Sequence, residues 1–273
     1  MHNLHDCYNT SKIFVAFWAL LSSAEWLASR QLFDRAGLLS WKVLSLRRSL
    51  INFTNFPSCL AGPFAVRFVL IARCLSAATL FISPGLWADT LALAVITFSC
   101  IYMSQRTCFG IDGSDQMAII LTVGALIMAI GLAEQRPYFS YAGVLLVGGQ
   151  LVLSYFVAGF AKLVSTQWRH GQAFGKVMLT QTYGHEGATR IVARYSAVSA
   201  AVCWTVILGE VLFPLALFAN KNVLVFALGC FALFHVANAF FMGLNAFVIA
   251  FLGCYPSVLL LQESIKNAID RSW

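Results

Sequence analysis

Residues 222–262 contain no Asp, Glu, Lys or Arg, and no other feature restricts the fold as strongly. As one helix rising about 1.5 Å per residue, the run would extend about 60 Å, twice the roughly 30 Å hydrocarbon core of a bilayer. It is too apolar for a water-facing surface and too long for a single crossing. The expectation is therefore a chain that crosses, folds back near 242–245 and crosses again.

Composition extends this reading to the whole chain. Of 273 residues, 60% are hydrophobic and 11% charged, whereas an ordinary globular domain carries about 25% charged residues. So few charges would leave large contiguous apolar patches on a soluble monomer. This argues against a soluble enzyme, a nucleic-acid-binding domain and a disordered chain. The net charge of +7 does not reverse that argument. The cations lie in short segments between apolar runs, with no basic stripe interleaved with aromatics, so the lipid bilayer is the expected partner and nucleic acid is not. The fold class is all-α, a polytopic transmembrane helical bundle in a single integral-membrane domain over 1–273, with no soluble C-terminal domain after the last span.

Further crossings are expected near 13–28, 64–82, 86–103, 116–132, 143–163 and 196–218. With the folded-back run these make about eight membrane segments, or seven as the alternative. The first is not a cleaved signal peptide, because Glu25 interrupts it and many spans follow. Two long connections break the pattern. Residues 31–60 mix Leu, Trp and Phe with Arg35, Lys42, Arg47 and Arg48, the pattern of an interfacial amphipathic helix followed by a loop. Residues 164–195 carry Arg169, Lys176, Arg190 and Arg194 among aromatics and glycines. In the eight-span count both connections share one face, here face A, with residues 104–115. The positive-inside rule would make face A cytoplasmic. Cys59 and Cys108 would also lie there, and would form a disulfide only in an oxidising compartment. The orientation stays open. The eight cysteines form no CxxC pair and no zinc-ligand spacing, so no metal site is expected.

Ionisable residues inside a span are costly and are functional candidates by default. Glu25, Arg73, Lys162, Glu210 and His235 qualify, and Asn238 adds neutral polarity. Arg73 is expected to serve as counter-ion to Glu210 or Glu25. Lys162, at the end of the fifth span, has two readings: an interfacial anchor with its ammonium among headgroups, or a desolvated amine usable as a general base. His235 and Asn238, three residues apart, share a helix face. They form either a structural polar network or part of a site. Counting at about 1.5 Å per residue places His235 roughly 10 Å and Glu210 roughly 20 Å below face A, with Lys162 at the rim, so the three can line one pocket. In the acidic turn before the fourth span, Asp112, Asp115 and Gln116 stand close together. Asp115 is the expected helix N-cap, and the spacing is not that of an EF-hand.

The run Tyr155-Phe156-Val157-Ala158-Gly159-Phe160-Ala161-Lys162-Leu163, followed by Trp168, Gly171 and Ala173, resembles the YF-x-AG-x-x-KL and W-x-x-G signature of the horizontally transferred transmembrane domain family. Vitamin K-dependent gamma-glutamyl carboxylases share that domain. Gly209-Glu210-Val211-Leu212-Phe213-Pro214 resembles the family's acidic position in the next helix. Phe234-His235-Val236-Ala237-Asn238 resembles its F-H-x-x-N helix, and the Asp112–Gln116 turn its G-x-D-Q element. The likeness covers roughly 110–256.

What the resemblance implies is an enzyme with Lys162 and His235 as catalytic residues. Glu210, Asn238, Trp168, Tyr155 and Arg73 would line the polar cavity. In the carboxylases the matching lysine is regarded as the base that deprotonates reduced vitamin K. Oxygen then converts the hydroquinone to an epoxide, generating the base that abstracts the glutamate gamma-proton so that carbon dioxide can add. Reduced vitamin K or another quinol is thus the implied cofactor, and a quinol-like lipid or a short secreted peptide precursor the implied substrate. True carboxylases continue into a large soluble domain, which this sequence does not show. Small bacterial members also resemble the sporulation-delaying-protein B family. That likeness implies the bacterial cytoplasmic membrane, and as the alternative a non-enzymatic factor for maturation, export or immunity of an antimicrobial peptide.

Overall fold

The computed structural model describes residues 2–45, 60–107 and 112–270. Among these every regular element is helical. Seven helical segments are long and apolar enough to cross a membrane: Pro63–Ile82, Leu86–Thr107, Gly113–Ala133, Pro137–Val164, Ser196–Leu217, Lys221–Met242 and Asn245–Asp270. The protein is an all-α integral-membrane helical bundle. The expected first crossing belongs to a longer helix, α1 (His2–Ala28), whose apolar stretch is diluted by Lys12 and Glu25. The seven-segment alternative therefore fits the spans selected by length and apolar composition.

The chain divides into two compact units, Met1–Gly143 and Val144–Trp273. In the first, α1 packs against α3 (Pro63–Ile82) and α5 (Gly113–Ala133), and α4 (Leu86–Thr107) packs against both α3 and α5. The α3 stripe Val66, Leu70, Arg73, Ala77 and Leu80 is buried, at the three- and four-residue spacing that places side chains on one helix face. Small residues let backbones approach where no hydrophobic effect drives helices together. A Cβ on Gly143 would lie 2.5 Å from the Gly124 carbonyl oxygen.

The first long connection, where an interfacial amphipathic helix is expected, is described only in part. Its described part holds a 3-10 turn (Arg30–Phe33) and a single helical turn, α2 (Trp41–Leu44). Residues 46–59, with Cys59, and residues 108–111, with Cys108, lie outside the described residues, and so does the expected disulfide. The acidic turn is corrected in one respect. Asp112, not Asp115, caps α5: its Oδ1 accepts from the Ser114 amide at 2.8 Å and the Asp115 amide at 3.1 Å. The carboxylate three residues earlier reaches the free amides of the first turn, and Asp115 already lies inside the helix. Gln116 is exposed and donates its amide to the Asp112 carbonyl.

In the second unit α6 (Pro137–Val164) ends in a connection built of short helices α7 (Thr166–Arg169), α8 (Ala173–Met178) and α9 (Glu186–Arg194), which pack on α10 (Ser196–Leu212). Gly171 is required here. Its φ is +70°, and a Cβ would lie 2.5 Å from Ala200. Pro214 has no N–H to give the Glu210 carbonyl, so α10 tightens into a 3-10 turn (Phe213–Leu217). Gln262 Nε2 then donates to the Ala216 and Ala219 carbonyls, each at 3.0 Å.

The charge-free run folds back where expected. Helix α11 (Lys221–Met242) ends at Gly243, whose φ of +72° suits glycine, and α12 (Asn245–Leu252) packs against α11. A second break at Gly253–Cys254 precedes α13 (Tyr255–Asp270).

Candidate functional site

The face of α6 that carries Tyr155, Gly159 and Lys162 organises the second unit. These residues recur at helical spacing, so their side-chain positions stack along one stripe over about 10 Å. Gly159 makes the arrangement possible. A Cβ there would lie 2.7 Å from both Glu210 Cβ and the Val211 amide nitrogen, so only glycine lets α10 come this near. The approach sets the Glu210 carboxylate beside the Lys162 ammonium, with Nζ 2.6 Å from Oε2.

Lys162 reaches into the helix layer. Its Nζ also contacts the Ala158 carbonyl one turn back at 3.4 Å and lies 5.4 Å from the centre of the Trp168 ring. The side chain of Lys162 is 20% exposed and that of Glu210 4%. This geometry replaces the headgroup-anchor reading, and equally the reading of a solitary amine: Lys162 is one half of an ion pair. A charge buried at such depth is tolerated only when paired and hydrogen-bonded.

Two turns back on the same stripe, the Tyr155 hydroxyl lies 2.9 Å from His235 Nε2 and 3.4 Å from the Tyr255 hydroxyl. Aromatic rings close around this chain. Tyr155 stacks on Phe231 at 4.1 Å and meets Phe213 edge-on at 4.8 Å. His235 lies 4.3 Å from the Phe251 ring centre and stacks on Phe247. His235 is 2% exposed, and its Nδ1 has no hydrogen-bond partner among the described residues. A buried ring nitrogen without a partner is costly, so Nδ1 is where a ligand atom or a water would be gained most favourably.

The remaining expected residues are placed differently. Asn238 is half-buried, its carbonyl accepts the Leu244 amide at 3.4 Å, and its side chain makes no hydrogen bond among the described residues. The expected His235–Asn238 cluster is thus a His235–Tyr155 pair. Arg73 belongs to the first unit, where its Nε donates to Ser99 Oγ at 2.7 Å, its Nη1 to Ser22 Oγ at 3.3 Å, and its guanidinium lies over Trp18. Glu25 is exposed. The counter-ion of Glu210 is Lys162 rather than Arg73.

An apolar groove of about 340 Å³ is lined by Gly209, Phe213, Phe226, Cys230 and Phe231. Phe213 and Phe231 are the rings that hold Tyr155, so one aromatic wall serves both groove and polar chain. Neither Lys162 nor His235 lines it. Among the described residues no three His, Cys, Asp or Glu side chains are grouped to hold a metal ion.

Sequence reasoning missed Tyr255, the Phe213–Phe231–Phe251 wall and the role of Gly159. The signal for Gly159 was available, since a glycine between Tyr155 and Lys162 on one helix stripe marks a close approach. Compared with protein-family models, curated proteins and solved structures, the chain matches none.

Proposed function

We propose that this integral-membrane protein is an enzyme whose acid–base chemistry is carried by Lys162 with Glu210 and by His235 with Tyr155. Its substrate class is a quinol-like lipid or a secreted peptide, and its setting a bacterial cytoplasmic membrane. The reading rests on the resemblance to the membrane domain of vitamin K-dependent carboxylases. One observation supports it above the others: Lys162 and Tyr155 share a stripe of α6, each engages a buried partner, and His235 keeps an unpartnered nitrogen.

The residues present fit an aromatic, weakly acidic guest. The rings of Phe251, Phe247 and Tyr155 offer flat apolar surfaces around His235, and Nδ1 offers a hydrogen-bonding position. A quinol, when bound, supplies ionisable hydroxyls and two-electron redox chemistry. The protein's own part is narrower. Glu210 holds the Lys162 amine in place, and its carboxylate balances the ammonium charge that forms when Nζ takes up a proton from the substrate. Tyr155 fixes the His235 ring through Nε2 and leaves Nδ1 to position an oxygen atom and stabilise negative charge developing there.

The test compares cells producing the wild type, Lys162→Ala and His235→Ala at equal folded levels. Mass spectrometry would follow both a co-encoded secreted peptide and the extracted quinone pool. Loss of a covalent product in both variants is the expected result. Full biological activity in both variants would overturn the catalytic reading and leave the non-enzymatic peptide-maturation or immunity factor.

A further inference from the structure

A second cavity, of about 340 Å³, lies in the first unit. Among the described residues its lining contains no carboxylate. Ser40 is 2% exposed, and its Oγ is buried without a hydrogen-bond partner among the described residues. Arg35 and Lys42 line the same cavity, are exposed, and form no ion pair among the described residues. The neighbouring acid, Asp34, is engaged by Arg67 at 3.4 Å.

The opposite wall is Ala61, Gly62 and Pro63. Ala61 and Gly62 lead into α3, a helix of 20 residues that begins at Pro63 and whose N-terminus has no side-chain cap among the described residues. The first amides of such a helix are unsatisfied, and its dipole presents partial positive charge there. Arg106 ties the two walls together. It is fully buried, and donates from Nε to the Ala61 carbonyl at 2.8 Å and from Nη1 to the Leu39 carbonyl at 2.9 Å. Its guanidinium stacks on Phe33 and Trp41. A third cation therefore stands behind the aromatic wall.

Hydroxyl, two free cations, a buried guanidinium and an uncapped helix N-terminus all favour an anion. The volume falls within the range of small-molecule sites, about 300–1,000 Å³, and exceeds what a halide needs. The cavity opens at the N-terminal end of a spanning helix beside Trp41, which is where a membrane segment meets the headgroups. We propose that this cavity binds a phosphate ester anion, presented by the headgroup of an anionic membrane lipid.

Thermal unfolding of the purified full-length chain in detergent tests the proposal. Titrations would use short-chain phosphatidylglycerol, short-chain phosphatidylcholine and inorganic phosphate, because a ligand selective for the folded state raises the midpoint. Phosphatidylglycerol is expected to raise it most. Ser40→Ala and the double variant Arg35→Gln/Lys42→Gln should each weaken apparent binding roughly tenfold. Lys176→Gln, in the other connection, should leave it unchanged. Protection by inorganic phosphate equal to that of the lipid would uphold the anion site and assign it to a soluble phosphate ester. Equal protection by phosphatidylcholine and phosphatidylglycerol would overturn the proposal. So would protection by phosphatidylglycerol unaltered in both cavity variants. Arg35 and Lys42 are exposed, so their variants fold and the comparison remains readable.

Discussion

Two lysine–carboxylate pairs lie within this protein's helix layers, and they are built differently. In the first unit Lys12 Nζ lies 2.8 Å from Asp89 Oδ2, with side chains 7% and 1% exposed. Ser83 Oγ bonds both partners, the Tyr8 hydroxyl donates to Asp89 at 3.0 Å, and the ammonium lies near the Tyr8 ring. The pair staples α1 to the turn between α3 and α4. In the second unit Lys162 and Glu210 are as close, but Lys162 is 20% exposed and, among the described residues, has only a long contact to Ala158 and the Trp168 ring besides. The same charges thus make a sealed structural joint in one place and a partly open pair in the other. Buried ion pairs are poor stabilisers in themselves, yet removing one partner is expensive. Enclosure, rather than distance, separates the two pairs.

The largest predicted effect follows from that contrast. Asp89→Ala leaves a buried ammonium unmatched and should cost about 3–5 kcal/mol, whereas Lys162→Ala, which removes the partly exposed member of a less enclosed pair, should cost about 2 kcal/mol. Chemical unfolding in detergent measures both. Equal losses would break the comparison, and Lys12→Met combined with Asp89→Leu should recover most of the first loss. The next effect concerns helix spacing. Gly159→Ala forces α6 and α10 apart and should cost about 1–3 kcal/mol as overpacking, with lower activity because the Lys162–Glu210 contact lengthens. Unchanged stability would mean that the close approach is not required. The smallest is Tyr155→Phe, which keeps the ring stacking and removes the hydroxyl that bonds His235 and Tyr255, for about 1 kcal/mol. Histidine NMR signals would show whether the His235 ring then loses its fixed orientation.

Much of the architecture was legible because membrane insertion imposes a simple rule. Backbone polar groups must be satisfied internally, so long apolar runs become helices. The fold-back at 242–245 was readable for the same reason, with Gly243 as the residue able to end α11. Asp112 was passed over as the cap of α5 because Asp115 sits equally well in a one-dimensional pattern. Among the candidate residues, Lys162, Glu210 and His235 stood out as polar groups in apolar segments. Their pairing did not. Arg73 was an equally plausible partner for Glu210 by charge, and Lys12 was not among the candidates.

What the sequence determined by itself was therefore a membrane-embedded helical protein with a short list of misplaced polar residues. Hydropathy and charge are properties of single positions and survive without knowing which helices meet. What only the tertiary structure decided was the matching: Lys162 with Glu210, Tyr155 with His235, Lys12 with Asp89, Arg73 with Ser99. Each match joins residues tens of positions apart. It depends on helix rotation and approach, which a missing Cβ at Gly159 or an absent N–H at Pro214 controls through contacts that no local pattern records.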